Sequence, residues 1–231
     1  MSALIAAQHL GLATRTGSVF ADVTFTIERN ALTVVVGPSG SGRSALLLAA
    51  SGRMRGLTGA VRLGSRQTRP RALRAVTSVA RLATLVLPEG QLSVGESVVE
   101  RALIDGAGSA DADRAMATAE ELLEVSFDRS RLVDDLDAYD RALLCVALAT
   151  IRPAELVVLD DADLGLDLDD QRRLLAALSR LAADGPAVLA STTELAAVPA
   201  TAALVQLGPQ LAVAAPRPPG PPLLPTPEKT V

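Results

Sequence analysis

The sequence predicts an α/β fold with a parallel sheet and a separate helical lobe, and three observations carry that prediction. Short apolar, β-branched runs alternate along the chain with helix-like stretches, the pattern of strand–helix–strand units. One such run ends in a glycine-rich loop that leads straight into a helix. Residues 93–150 are mostly helix-like, which sets a second, smaller lobe apart from the strands. At 231 residues the chain is long enough to bury one sizeable core.

Taken in order, residues 23–27 (VTFTI) alternate cleanly and predict a half-buried strand. His9, upstream in a weakly patterned stretch, reads as an incidental polar residue. Residues 33–36 (TVVV) are unbroken up to Gly37 and suit a strand buried on both faces. A helix is expected over 44–50, stopped by Ser51 and Gly52, then a turn and short strand over 58–64. Further strands are expected at 76–79, 156–159, 188–190 and 204–207. Within the helical lobe, 116–123 has an amphipathic pattern. From Ala215 the chain reads APRPPGPPLLPTPEKTV, a composition that forms neither ladders nor helices and predicts an extended, disordered tail. A docking peptide for a proline-reading partner is the alternative for that tail.

Composition narrows the function. Aromatic residues make up 2% of the chain and the net charge is −4, so neither stacking platforms nor a basic footprint for nucleic acid is present. Cys145 is the single cysteine and lies in an apolar run, which argues for an inert buried thiol and against disulfides or a thiolate metal cluster. No apolar run approaches the ~18 residues of a membrane span, and the N-terminus lacks a signal-peptide layout. The expectation is a cytoplasmic chain without a span of its own, peripheral at the inner face of the cell membrane only through a partner.

The loop Gly37-Pro38-Ser39-Gly40-Ser41-Gly42-Arg43-Ser44-Ala45 fits G-x-x-x-x-G-K-[ST] except at the lysine. Glycines let backbone N–H groups curl round a phosphate, the following helix adds its positive end, and Ser44 offers a hydroxyl to Mg²⁺. A plain Gly/Ser turn is the alternative reading, and the flanking strand and helix weigh against it. Arg43 replaces a compact ammonium with a broad planar fork. Since Lys229 is the only lysine in the chain, the exchange is consistent with a chain-wide bias toward arginine. The second motif is the apolar run 155–161 (ELVVLDD), followed by LGLD at 164–167. An apolar strand ending in Asp, as this one does at Asp160, is the Mg²⁺-organising element of P-loop NTPases. A strand that merely ends in solvated carboxylates is the alternative.

With both motifs in order, the chain resembles the ATP-binding-cassette (ABC) transporter family, whose second motif reads LDEPTSGLD. TGAVRLG (58–64) resembles that family's first β-subdomain, and Ser93-Val94-Gly95-Glu96 its TVxEN segment. The resemblance runs from about residue 3 to residue 213 and implies a P-loop NTPase core with an N-terminal antiparallel β-subdomain. It implies a nucleotide-binding domain over 1–214, with its helical lobe at about 93–150 and the tail at 215–231. It further implies that residues 37–45 cradle ATP and that Ser44 and Asp160 serve Mg²⁺. Asp161 stands in the place of the catalytic glutamate, one methylene shorter, and Asp167 is a dimer-contact residue. The implied partners are a transmembrane permease and/or a second ABC ATPase.

Four family features are absent from the sequence. No ring occurs near Thr16-Gly17 to stack on adenine, and no Gln occurs from Arg81 to Thr84. Thr193 stands in for the switch histidine, and Leu136-Asp137-Ala138-Tyr139-Asp140 replaces LSGGQ. Carboxylates at that helix start cap it well but repel a triphosphate. The sequence therefore resembles a degenerate ABC ATPase subunit that binds ATP with weak or absent hydrolysis. An ordinary ABC ATPase with relaxed motifs and a non-enzymatic cassette-fold scaffold are the other two readings.

Overall fold

A computed structural model describes residues 2–15, 17–82 and 87–208. Thr16, Thr84 and the proline-rich stretch from Ala215, each singled out above, lie outside the described residues. The chain opens with a hairpin of β1 (Ala3–Thr14) and β2 (Gly17–Glu28), which pair antiparallel. β1 escapes the sequence reading because its register shifts between Ala7 and Leu10, where His9 takes a φ of 50°. The bulge breaks the period-2 pattern that would announce a strand. His9 Nδ1 lies 2.6 Å from Asp22 Oδ1 across this bulge, on the surface.

β3 (Leu32–Val36) runs into the glycine loop and then into α1 (Arg43–Ala50), one residue earlier than expected. β4 (Leu57–Leu63) and the two-residue β5 (Arg66–Gln67) complete an antiparallel sheet in the order β2-β1-β4-β5. The strand expected at 76–79 is displaced. Pro70 begins a helix, α2 (Pro70–Val76), and β6 follows as Thr77–Arg81. Proline at a first helical position supplies a preset φ and no wasted donor, a start signal that outweighed the β-branched Val76.

The helical lobe holds α3 (Val94–Asp105), α4 (Ser109–Leu123) and α5 (Ala138–Thr150). Its TVxEN-like segment is a capping box: the Glu96 N–H donates to Ser93 Oγ at 3.2 Å, and Glu96 accepts from the Ser93 N–H at 2.8 Å. Arg101 ties the lobe to the core by donating to Ser78 Oγ at 2.9 Å while pairing with Asp105. β7 (Leu156–Leu159), α6 (Leu168–Asp184), β8 (Ala187–Thr192) and β9 (Ala203–Gln206) complete the core. The expected strand at 204–207 begins one residue earlier and stops before Leu207.

The second sheet has the order β6-β7-β8-β3-β9, and each of its pairings is parallel. Its inner strands β3, β7 and β8 are buried along their whole length because both faces are covered. Val34, Val157 and Val188 face α3 to α6, while Val35, Val158 and Leu189 face the antiparallel sheet and α1. Burying each such side chain contributes about 1.5–3 kcal/mol. That double burial fixes the sheet and, with it, the position of every loop at its carboxyl end.

Candidate functional site

The candidate site lies where parallel strands end, the usual place for ligands in an open α/β sheet. β3 delivers Gly37, whose N–H donates to the Thr192 carbonyl at 3.3 Å. A Cβ on Gly37 would stand 2.6 Å from the Leu207 carbonyl oxygen, so no larger residue fits there. At the other end of the loop Gly42 adopts φ 93°, and a Cβ would meet the Val19 carbonyl at 2.6 Å. Between them the Ser41 N–H donates to the Pro38 carbonyl at 3.1 Å. Pro38, Ser39 and Gly40 are exposed, Gly37, Ser41 and Arg43 are buried, and Gly42, Ser44 and Ala45 are half-buried. The loop therefore has the strand-to-helix form that the sequence predicts.

Arg43 does not point to solvent. Its guanidinium donates to the Gly37 carbonyl, at the first position of its own loop, and to Asp161 Oδ1 at 2.9 Å. The arginine side chain is 9% exposed and that of Asp161 33%. The arginine at the loop's lysine position and the second carboxylate of the 155–161 run thus form one ion pair. A fork-shaped donor makes this possible, because two N–H groups reach two acceptors at once.

Asp160 is wholly buried at the end of β7. Ser191 Oγ donates to its Oδ1 at 2.5 Å and accepts from the Asp161 N–H at 2.9 Å. Asp160 Oδ2 is buried without a hydrogen-bond partner among the described residues. Ser44 stands in the first turn of α1. A carboxylate oxygen with free capacity and a hydroxyl are the hard oxygen donors that Mg²⁺ accepts, so these residues fit the ion. When bound there, Mg²⁺ would offset negative charge on phosphate oxygens.

Two contacts around this pair were not foreseen. Arg81, buried at the end of β6, donates from Nε to the Asp160 carbonyl at 3.1 Å and from its other end to the Asp161 carbonyl. Asp161 itself has φ 48°, a strained conformation held by Arg81 on its carbonyl and Ser191 on its N–H. Asp163 accepts from both the N–H (2.8 Å) and the hydroxyl of Thr193. A lone arginine at the end of the buried strand β6 was the sequence signal for Arg81. Ser191 and Asp163 carried no comparable signal, and Thr193 stood out only through the resemblance that set it in the place of a histidine.

Residues 136–140 form an acidic helix start. Asp137 caps α5 by accepting from the Asp140 N–H at 2.8 Å. Burial, and then the charge of Asp137, raises the Asp140 carboxyl above its ordinary value, against the pull of Arg131 and Arg173. Arg141 donates to the Asp134 and Leu136 carbonyls at 3.2 and 2.9 Å, and Gln91 donates to Asp134 Oδ2 at 3.0 Å. Arg173 lies over the Tyr139 ring, 4.4 Å from its centroid. Asp167, expected at a dimer contact, caps α6 by accepting from the Asp170 N–H at 2.8 Å. No helix among the described residues is long and apolar enough to cross a membrane.

A family model described as ABC transporter matches residues 20–163. The chain is 30% identical over 205 residues to the cobalt import ATP-binding protein CbiO of Rhodobacter capsulatus, covering 85% of this chain and 73% of that protein. It is 32% identical over 209 residues to the hemin import ATP-binding protein HmuV of Rhodococcus jostii, covering 87% and 70%. An ABC transporter ATP-binding protein from Pyrococcus furiosus superposes with a TM-score of 0.71 at 20% identity, covering 88% of this chain and 96% of that one. CbiO1 of Clostridium perfringens, part of the ABC transporter complex CbiONQ, gives 0.68 at 14% identity over 84% and 80%. The paired sheets match the ABC ATPase fold. On the matched residues and these relatives, the chain belongs to the ABC transporter family, as an ATP-binding domain.

Proposed function

We propose that this chain is a degenerate ABC ATP-binding subunit that binds ATP-Mg²⁺ at residues 37–45 and hydrolyses it weakly or not at all. The domain spans 1–214, with Ser44 and Asp160 serving the metal. The observation that carries the reading is the acidic start of α5, where Asp137 caps the helix by accepting from the Asp140 N–H. Asp137 and Asp140 set negative charge where the family's signature meets the opposite subunit's phosphate. The sequence has no ring at Thr16-Gly17, which favours poor discrimination between ATP and GTP.

The subunit works on the cytoplasmic side of a membrane with a permease, a second ATPase or both. ABC ATP-binding subunits act with transmembrane permeases, and this chain exposes Val99, Leu103 and Ile104 on α3, with Leu103 77% accessible. The relatives' names specify unlike cargoes, among them cobalt, ribose and hemin, so none is transferred to this chain.

The test is an ATP-Mg²⁺ titration of the purified protein followed by measurement of phosphate release. Binding with negligible turnover is expected. Turnover at ~1 s⁻¹ or more would make it an ordinary ATPase. Failure to bind millimolar ATP would leave a cassette-fold scaffold.

A further inference from the structure

The geometry points to a latch. Arg43 is shared between Asp161 and an incoming polyphosphate, so occupying the loop and releasing the Asp161 carboxylate are one event. This inference rests on the reading of residues 37–45 as a nucleotide site.

The guanidinium spends one N–H on the Gly37 carbonyl and another on Asp161 Oδ1, and its Nε is buried without a hydrogen-bond partner among the described residues. It is folded back over the loop that carries it. A phosphate chain entering that loop brings several charged oxygens to a donor that Asp161 holds with one. Guanidinium binds phosphate and carboxylate in the same forked geometry, so the two compete directly, and the more highly charged partner prevails.

Asp161 cannot follow the arginine. Ser191 holds its N–H at 2.9 Å, Arg81 holds its carbonyl, and its backbone sits at φ 48°. With the backbone clamped on both sides, only the side chain can move, and the ion pair must break rather than travel. Arg43 is thus a positioning residue: it holds the candidate base in an occupied state until phosphate takes its place. A lysine would release a single ammonium contact. The arginine couples two ends of the site because it reaches both Gly37 and Asp161.

The test is a double-mutant cycle read by calorimetric titration with ATP-Mg²⁺. Asp161→Asn removes both the pair and the general repulsion between carboxylate and phosphate. In an Arg43→Ala background the same change removes only the repulsion. The expected result is an affinity gain from Asp161→Asn that is about tenfold larger with Arg43 present than in the Arg43→Ala background, a coupling of ~1.4 kcal/mol. Arg43→Met, which keeps the length of the side chain, should repeat the Arg43→Ala result and guards against a collapsed loop. Equal gains in both backgrounds overturn the latch and leave the nucleotide site standing. No binding by any of the proteins overturns the nucleotide site and the latch together.

Discussion

Ser191 and Asp160 are joined by a 2.5 Å hydrogen bond between two side chains that are both wholly buried. The same hydroxyl accepts from the Asp161 N–H, so one small side chain on β8 sets the attitude of both acidic residues at the end of β7. Since Asp160 Oδ2 has no hydrogen-bond partner among the described residues, the serine is what keeps the buried carboxylate engaged.

Ser191→Ala should therefore be expensive for so small a change. It strands a buried carboxylate oxygen and a backbone donor together, and a loss of about 1–3 kcal/mol is expected. Urea denaturation measures it. A change of only a few tenths would show that the bond contributes little.

Arg81 offers a sharper test of geometry. Its fork spans the carbonyls of Asp160 and Asp161, and a lysine's single ammonium cannot do the same from that position. Arg81→Met is expected to cost about 2 kcal/mol or more, and Arg81→Lys to recover less than half of it. Full recovery by lysine would mean that charge alone, and not the fork, is what matters.

At the start of α5, Asp137→Ala removes a helix cap worth about 1 kcal/mol, while Asp137→Asn keeps the acceptor and should be close to neutral. Either change also relieves Asp140 of a neighbouring negative charge, so the measured cost of Asp137→Ala should grow when the pH is lowered. Chemical denaturation of both variants at neutral and acid pH reads this out.

Asp140 gives the pH dependence a definite sign. Its carboxyl is raised by burial and by Asp137, so the folded chain holds this proton more tightly than the unfolded chain does. Stability from this group is gained as pH falls through the raised value, and the ionised form is a net liability above it. Asp140→Asn should be more stable than the parent at neutral pH. That advantage should close as pH falls toward the ordinary carboxylate value of 3.8. A difference that is constant across the acid range would contradict the assignment.

Burial pushes the Cys145 thiol up to about 11. With so little thiolate, Ellman's reagent at about pH 8 should label the native protein only as fast as it opens, and label it at once in denaturant. Rapid native labelling would show that α5 leaves the core easily.

Much of the core was legible because it is buried on both faces: β3, β7 and β8 are buried throughout and mostly apolar, and their boundaries fall within a residue or two of expectation. β1 was illegible for the opposite reason, since its bulge at His9 destroys the alternation that half-buried strands display. The loop and Asp160 were legible as local motifs. Their wiring was not, because Arg43 and Asp161 are 118 positions apart and meet only after β8 has been inserted between β3 and β7. Spacing along a chain reports which residues are present; only the strand order decides which of them touch.

That strand order also governs when the site can exist during synthesis. β3 ends at Val36, yet both of its sheet neighbours, β8 and β9, come from beyond residue 186. The loop that follows it rests on the carbonyls of Thr192 and Leu207. A nascent chain emerging from the ribosome therefore carries the loop residues long before it has the strands that shape them. Chains halted before β9 would carry the whole phosphate-loop sequence without the wall it is built against, so nucleotide binding would report complete synthesis of the core.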